Sequence, residues 1–353
     1  MPETPELLTA LLGAAAPSGY EAPASRVWRE AASFAAPGAD GLGSSFARIG
    51  DDGAAPVLAV FGHIDEIGLA ITHVDEKGFL YFSPIGGWDP QVLVGQRMEI
   101  QGRNGPVVGV IGRDKPIHVL RDEEKKQAVE LRNLHIDIGA ADRDAAFELV
   151  AIGDPVVIAG GPVAIGDDGR LVSRAMDNRL GAYVALEALR RCHERGELRG
   201  QMVAVAAVQE EIGLHGALTS AYALEPDLAV AIDVTHATDS PGIEEKELGS
   251  HPLGSGPVIS RGSTLSPHVF KLLRDTAERL EIDHTVEATG RATHTDADAV
   301  QVSRSGVPAG LVSVPVRYMH SPVEMVDLGD LEATVELVTA FAGSLEPGLD
   351  LSR

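Results

Sequence analysis

The sequence predicts an α/β protein in which a doubly wound, mixed-sheet domain carries an inserted, small β-rich, barrel-like domain. Three observations support this fold class. Helix-like and strand-like segments alternate through the second half of the chain, which is typical of a doubly wound sheet. Short strand-like segments dominate the stretch 70–164. The length of 353 residues also exceeds the ~250–300 residues that one hydrophobic core usually covers.

The first stretch, 1–69, is predicted to form two helices and a strand. Leucines recur on one helical face between Leu7 and Leu12, and 24–36 has the composition of a second helix. Residues 56–62 form a short, continuously apolar run. A run of this kind is typical of a strand that is buried on both faces of a sheet.

The middle stretch, 70–164, has the pattern of a separate β-rich domain. Two strand-like segments, 71–74 and 79–82, flank a turn that contains Gly78, which predicts a hairpin. Further short strands are predicted at 92–94, 97–101, 107–111 and 156–158. The one good helix candidate is 142–150, and the mixed-charge segment 121–127 is expected to be a mobile loop.

The last stretch alternates between helices and strands. Helices are predicted at 178–195, 214–224, 267–280 and 328–345, and strands at 202–208, 228–232 and 311–314. The strand at 56–62 is expected to join the same sheet. Residues 1–69 and 165–353 are therefore predicted to form one domain, interrupted by the inserted domain 70–164.

Charge and composition exclude several classes of protein. Lysine and arginine total 29 against 52 aspartates and glutamates, a net charge of −23 that argues against nucleic acid and anionic membranes as partners. The single cysteine, Cys192, excludes a disulfide framework and a cysteine-based zinc site. The acidic N-terminal segment and the lack of a long apolar run indicate a cytoplasmic globular protein.

Histidines and carboxylates collect at the ends of the predicted strands. Taken singly, each has an ordinary explanation: Asp177 could cap the following helix, and an adjacent pair of glutamates could lie in a solvated loop. Taken together they meet at one edge, because ligands bind beyond the carboxyl ends of parallel strands. These residues are His63, Asp65, Asp177, Glu210, Glu211, Asp233 and His320. Imidazole and carboxylate suit Zn²⁺ or Co²⁺, and one carboxylate can bridge two ions ~3.5–4 Å apart.

The segments that carry these residues resemble the TET-type dinuclear aminopeptidases, family forty-two of the metallopeptidases. The matching strings are GHIDEIG (62–68), AMDNRLG (175–181), QEEIGLHGA (209–217), AIDVT (231–235) and VRYMHSPVEM (316–325). Within the inserted stretch, THVDEKG (72–78) and PIGG (84–87) match as well. The resemblance covers nearly the whole chain, in order.

The resemblance implies a role for each candidate residue and two divalent ions per subunit. Asp177 would bridge the ions, with His63 and Asp233 completing one site. Glu211 and His320 would complete the other site. Glu210 would be the general base, and Asp65 would accept the second ring N–H of His63. The resemblance also implies a cis peptide between residues 177 and 178.

The resemblance further implies the substrates and the assembly. The substrates would be short peptides with a free N-terminus. The inserted domain would mediate dimerisation, and the dimers would build a tetrahedral dodecamer. The preferred N-terminal residue stays open: the net acidity weakly disfavours acidic termini, but a local arginine such as Arg261 or Arg291 could reverse this.

Two alternatives and two departures from the family pattern are notable. Some family members have carried an endoglucanase label, so a glycoside hydrolase is an alternative. That reaction needs two carboxyls flanking one bond and leaves the other ligand-type residues unexplained. A non-catalytic paralogue is the second alternative, although no ligand or base is lost. His294 replaces a glycine that is usual before 295–297 and could line the substrate pocket, and Asn178 replaces the commoner aspartate.

Overall fold

The computed structural model describes residues 4–115, 118–166 and 169–351. The α-helices are α1 (Glu6–Gly13), α2 (Ala22–Ala31), α3 (Pro90–Leu93), α4 (Asp122–Lys125), α5 (Arg143–Leu149), α6 (Met176–Arg195), α7 (His215–Leu224), α8 (Glu245–Leu248), α9 (Pro267–Arg279), α10 (Asp296–Val300) and α11 (Leu328–Ser344). Short 3₁₀ turns occupy Ser33–Ala35 and Leu131–Asn133. No helix in these described ranges is both long and apolar enough to cross a bilayer.

The strands divide between a large sheet and a closed barrel. The strands before the barrel are β1 (Gly38–Ala39), β2 (Ser45–Ile49) and β3 (Val57–His63). The barrel strands are β4 (Gly68–Val74), β5 (Leu80–Ile85), β6 (Arg97–Gly102), β7 (Gly105–Arg113), β8 (Leu134–Asp137) and β9 (Pro155–Ile158). The strands after it are β10 (Val163–Ile165), β11 (Arg170–Ser173), β12 (Gln201–Ala207), β13 (Leu228–His236), β14 (Val258–Gly262), β15 (Thr285–Thr289), β16 (Ala309–Arg317) and β17 (Glu324–Asp327).

The centre of the large sheet is parallel and its margins are antiparallel. The order is β1-β2-β12-β3-β13-β16-β17-β11-β10, with β14 and β15 branching from β16. The pairs β12–β3, β3–β13 and β13–β16 are parallel, so their carboxyl ends lie at one edge. This mixed α/β sheet with a closed barrel confirms the predicted fold class.

Helices cover both faces of the sheet, because alternate strand residues point to opposite sides. Leu58 and Val60 of β3 pack in one core with α1, α6 and α11, whereas Ala59 and Phe61 pack in a second core with α7 and α10. The barrel has a core of its own, which includes Leu69 and residues from each of its strands. Two-sided burial explains why the central part of β3, residues 57–62, is apolar on both faces.

A pair of glycines sets the distance between α6 and β3. A Cβ on Gly62 would lie 2.1 Å from the carbonyl carbon of Gly181, so the helix and strand backbones touch at this point. The chain enters α6 through a cis peptide between Asp177 and Asn178, as the resemblance implied. This contact brings the start of α6 beside His63, which ends β3.

Some predicted elements are wrong in detail. Residues 92–94 were predicted as a strand, but α3 occupies Pro90–Leu93. Asp89 accepts the backbone N–H of Gln91 and Pro90 takes the first helical position, which together begin a helical turn. Within 121–127, which was predicted as a loop, the short helix α4 forms. β13 continues beyond 232 to His236, so Asp233 lies within this strand.

The inserted segment has definite structural limits. The barrel begins at Gly68 and its last strand ends at Ile158. After it, Val163–Ile165 pairs with Arg170–Ser173 in the large sheet. The assignment of 1–69 plus 165–353 and of 70–164 as independent domains stays a prediction.

Candidate active site

The candidate site lies where the parallel strands end. His63 is the last residue of β3, Asp233 lies near the end of β13, and His320 follows β16. The adjacent Glu210 and Glu211 follow β12. All five, together with Asp177, line one cleft of about 950 Å³. The structure therefore brings the predicted ligand-type residues together.

Asp177 lies between the two histidines. Its Oδ1 is 3.1 Å from His63 Nε2, and its Oδ2 is 3.3 Å from His320 Nε2. Asn178 explains why this carboxylate is not used as a helix cap. Asn178 Oδ1 itself accepts the backbone N–H of Gly181 at 2.9 Å, so the capping acceptor is one residue further along.

The remaining carboxylates surround these histidines. Glu211 Oε1 is 3.3 Å from His320 Nε2, and Glu210 Oε2 is 3.7 Å from His63 Nε2. His63, Asp177 and Glu211 each offer one ligand atom within 4.8 Å of the other two. His63, Glu210 and Asp233 form a second trio by the same measure. The residues thus provide two overlapping donor sets.

Asp65 contacts three of these residues: His63, Glu210 and Glu211. Its Oδ1 lies 3.4 Å from His63 Nδ1 and accepts the backbone N–H of Glu210 at 3.1 Å. Its Oδ2 accepts the backbone N–H of Glu211 at 3.2 Å and the hydroxyl of Ser18 at 2.6 Å. The sequence predicted the contact with His63 but not the two contacts with the glutamate backbone.

Glu324 has the equivalent position on the other side of the site, and sequence reasoning missed it. Its Oε2 accepts the backbone N–H of Asp177 at 3.2 Å, and its Oε1 accepts that of His320 at 2.8 Å. Glu324 is 2% exposed. Its place four residues after His320, in the segment 316–325, is the one sequence signal that could have identified it.

Burial and mutual repulsion raise the pKa values of Glu210, Glu211 and Asp233, whereas the neighbouring histidines lower that of Asp177. Burial, opposed by His63 and reinforced by Asp233, raises the pKa of Glu210 to about 10. Burial also raises the pKa of Asp233 well above its ordinary value. Hydrogen bonds to Asp177 and Glu211 raise the pKa of His320 to about 11. Carboxylates crowded in this way favour a proton or a cation in their midst.

The residues present fit divalent metal ions. Imidazole and carboxylate are the ligands of Zn²⁺ and similar ions. The Asp177 oxygens lie 3.1 and 3.3 Å from the ring nitrogens of His63 and His320. This is about the separation expected of two ligand atoms that each lie roughly 2.0–2.2 Å from the same ion. Glu211 Oε1 is also buried without a hydrogen bond of normal geometry.

His294 lies at the cleft as an exposed side chain, as its place in the sequence suggested. Its φ is 58°, in the left-handed region that favours glycine, which agrees with the glycine usual at this position in the family. The His294 backbone N–H donates to Asp298 Oδ2 at 2.8 Å.

Comparison with known proteins identifies relatives over most of the chain. The family model described as M42 glutamyl aminopeptidase matches residues 43–337. A lysyl aminopeptidase of Pyrococcus furiosus is 35% identical over 311 residues, covering 87% of each chain.

Solved structures give the same result. A TET aminopeptidase from the marine sediment archaeon Thaumarchaeota archaeon SCGC AB-539-E09 superposes with a TM-score of 0.92 at 32% identity, covering 97% of this chain and 96% of that one. The TET1 peptidase of Pyrococcus horikoshii, described as assembling into a tetrahedron or a large octahedral shell, has a TM-score of 0.85 at 32% identity and covers 96% and 99%. By family model, sequence identity and structure alike, the chain belongs to the M42 glutamyl aminopeptidase family and is an aminopeptidase.

Proposed function

We propose that this aminopeptidase uses two divalent ions, zinc or cobalt, to remove the N-terminal residue from short peptides. The position of Asp177 carries the proposal. Each of its oxygens faces a different histidine, at 3.1 and 3.3 Å, which is the arrangement that a carboxylate bridging two ions requires. His63 and Asp233 would hold one ion. Glu211 and His320 would hold the other.

Glu210 is the proposed general base. Glu211 Oε1 and Asp177 Oδ2 both lie 3.3 Å from His320 Nε2, which gives Glu211 a place in a donor set. Glu210 Oε2 lies further from its histidine, at 3.7 Å, and lines the cleft. Glu210 also has a ligand atom within 4.8 Å of those of His63 and Asp233, so its carboxylate would lie beside the ion that these two residues hold, within reach of the attacking water.

The chain's own residues move the proton in this reaction. The ions, when bound, would polarise the scissile carbonyl and lower the pKa of water. Glu210 takes a proton from the attacking water while the water oxygen forms a bond to the carbonyl carbon. Glu210 then gives this proton to the amide nitrogen as the C–N bond breaks, so the free amine leaves.

The two alternatives are not favoured. Membership of an aminopeptidase family argues against a glycoside hydrolase, and a reaction of that kind would use only two of the carboxyls at this edge. A non-catalytic paralogue should lack a ligand or the base. The residues proposed for these roles line one cleft together.

We further propose that the barrel mediates self-association and that the assembly is a tetrahedral dodecamer. The assembly described for the related TET1 peptidase supports this proposal. Val108 and Val110 of the barrel strand β7 are apolar and exposed, as expected of a surface that meets another copy. A cytoplasmic location is proposed as well, because a chain with one cysteine has no internal disulfide.

Exchanging each adjacent glutamate for glutamine tests the proposed roles. Glu210→Gln keeps the shape but removes the basic oxygen, so two ions per subunit should remain while kcat falls about 10²–10⁴-fold. Glu211→Gln removes a ligand, so metal content should fall first and excess metal should restore part of the activity. Elemental analysis beside kcat on an aminoacyl-anilide gives both readouts.

The outcomes separate the roles clearly. If Glu210→Gln loses its metal while Glu211→Gln keeps both ions and loses turnover, the two roles are reversed. If neither variant changes kcat or metal content, this cleft is not the active site. Blocked peptides cleaved as fast as free ones would contradict exopeptidase action.

A further inference from the structure

The cleft extends well beyond the proposed metal ligands and has an acidic wall. Two further carboxylates, Glu287 and Asp298, line it. Among the described lining residues there is no lysine or arginine, and the basic groups other than the proposed ligands are His236 and His294. The space beside the metal centre must accept the side chain of the N-terminal residue, so its charge bears on specificity.

Glu287 is held in place by two hydroxyl groups. It lies on β15, where its Oε1 accepts the Thr235 hydroxyl at 3.1 Å and its Oε2 accepts the Ser260 hydroxyl at 3.3 Å. Ser260 is 1% exposed, so one of these donors is fixed in the core. A carboxylate has about four acceptor sites, and the two hydroxyls leave the others for a ligand.

The distance from the proposed metal site suits a long side chain. Thr235 and Asp233 are two residues apart on β13, and both line the cleft. Same-face neighbours on a strand are roughly 6.6 Å apart, since the rise is about 3.3 Å per residue. Glu287 is one hydrogen bond beyond Thr235. A short or branched apolar side chain would end before this carboxylate, whereas the four-carbon stem of lysine reaches toward it.

The arginines that could have favoured an acidic terminus are elsewhere. The Arg261 guanidinium lies 5.6 Å from the centre of the Phe270 ring, beside a separate depression that both residues line. Arg291 is likewise not among the residues of the cleft. The sequence left open whether either would reverse the acidic field, and in this fold neither one lines the cleft.

We propose that the cleft selects peptides with a basic N-terminal residue, lysine above all, and that Glu287 is the specificity-determining residue. The inference rests on the proposed function, since it assigns the substrate class of the same site. Glu287 binds the ammonium or guanidinium group of the N-terminal side chain. A glutamyl side chain would meet the same carboxylate and be repelled.

The test compares lysyl-, leucyl- and glutamyl-p-nitroanilides on the metal-loaded, full-length enzyme. The wild type should cleave the lysyl substrate with the highest kcat/KM and the glutamyl substrate with the lowest. Glu287→Gln should lower the lysyl-to-leucyl ratio of kcat/KM about 10- to 100-fold, the usual contribution of a hydrogen bond to a charged group. Hydrolysis of the leucyl substrate should persist, which also reports that the variant folds.

Glu278→Gln is the matched control. It removes one negative charge from an exposed position on α9, where Glu278 Oε1 lies 3.3 Å from Arg274 Nε, and it should leave the ratio unchanged. Equal losses on the lysyl and leucyl substrates in Glu287→Gln would overturn the proposal, because Glu287 would then bind the α-ammonium group that both share. An unchanged ratio would overturn it too. If none of the anilides were cleaved, the proposed function itself would fail.

Discussion

Asp65 accepts the backbone N–H of Glu210 at 3.1 Å, which ties the proposed general base to the strand that carries His63. The same carboxylate accepts the backbone N–H of Glu211 at 3.2 Å. A single buried side chain therefore fixes the loop after β12 against the end of β3. The geometry of the two adjacent glutamates depends on Asp65 although it is not itself a proposed ligand.

Asp65→Asn should lower metal affinity about 10–100-fold, the usual effect of losing a group that supports metal ligands. The backbone N–H groups of Glu210 and Glu211 bind different oxygens of Asp65, and asparagine would present an N–H₂ group in place of one of them. Metal dissociation constants, measured by competition with a chromogenic chelator, give the readout.

Ser18→Ala is the control for Asp65→Asn. It removes the hydroxyl that donates to Asp65 Oδ2 but leaves the carboxylate and its contacts with the glutamate backbone. Its effect on metal affinity should stay within a few-fold. Equal losses in both variants would show that burial of the polar cluster, rather than the alignment of the glutamates, is what the site requires.

Glu324→Gln should weaken metal binding from the other side. Glu324 accepts the backbone N–H groups of Asp177 and His320, and glutamine would present an N–H₂ group to one of them. We expect a 10–100-fold loss of metal affinity with fewer than two ions retained per subunit. Elemental analysis after dialysis measures the retained metal.

Asp330→Asn is the matched control for Glu324→Gln. Asp330 is also buried and also accepts two backbone N–H groups, from Gly254 at 2.8 Å and Gly256 at 2.7 Å. It does not line the cleft. Both variants should lower the melting temperature, but only Glu324→Gln should lose metal. If Asp330→Asn also lost metal, the metal loss in Glu324→Gln would be explained by a less stable fold rather than by its lost contacts with Asp177 and His320.

The sequence predicts the central strands well because they are buried on both faces. Within β3 and β12, residues 57–62 and 202–207 are continuous apolar runs, a pattern typical of strands buried on both faces. Thr285–Thr289 was not predicted, because this strand pairs with β14 alone and its burial alternates between partial and exposed. The helical turn at Pro90–Leu93 was missed because Val92 and Val94 favour a strand. In the structure, the N-cap formed by Asp89 outweighs this preference.

The sequence also predicts which side chains meet at the site, but not how they are held. Parallel strands bring their carboxyl ends together, so strand order alone gathers His63, Asp233 and Glu211. The contact of Glu324 with the backbone of Asp177 joins positions 147 residues apart. No periodicity or spacing reports a contact of that kind, since it depends on how the chain turns between β16 and β17.

The proposed assembly predicts a selective effect of charge on the barrel. Val108 on β7 is 65% exposed, and Val108→Glu should reduce the particle mass toward that of the 37.0 kDa chain. A buried carboxylate in an interface is costly unless it is paired. Val302→Glu, at a residue outside the barrel that is 67% exposed, is the matched control and should leave the mass unchanged. Light scattering that gives 37 kDa for the wild type at working concentration would refute the assembly.

Removal of metal should destabilise the fold at the site that holds Asp177. Without ions, Asp177, Glu211 and Asp233 are left crowded in one cleft, where His63 and His320 are the basic side chains beside them. A ligand whose free concentration is 100 times its dissociation constant stabilises the native state by about 2.7 kcal/mol. Removal of the ions by a chelator should therefore lower the melting temperature. Differential scanning fluorimetry with and without chelator measures the shift.

Two variants show where the chelator effect arises. Glu210→Gln should retain the full shift in melting temperature, because the proposed base is not needed to hold the ions. Asp177→Asn should abolish most of it, because the residue between His63 and His320 would then have one weak amide oxygen in place of a bridging carboxylate. Re-addition of Zn²⁺ or Co²⁺ should restore the melting temperature and the activity together in the wild type. A melting temperature that is the same with and without chelator, in a protein from which elemental analysis shows the metal has gone, would contradict the view that ions neutralise this buried cluster.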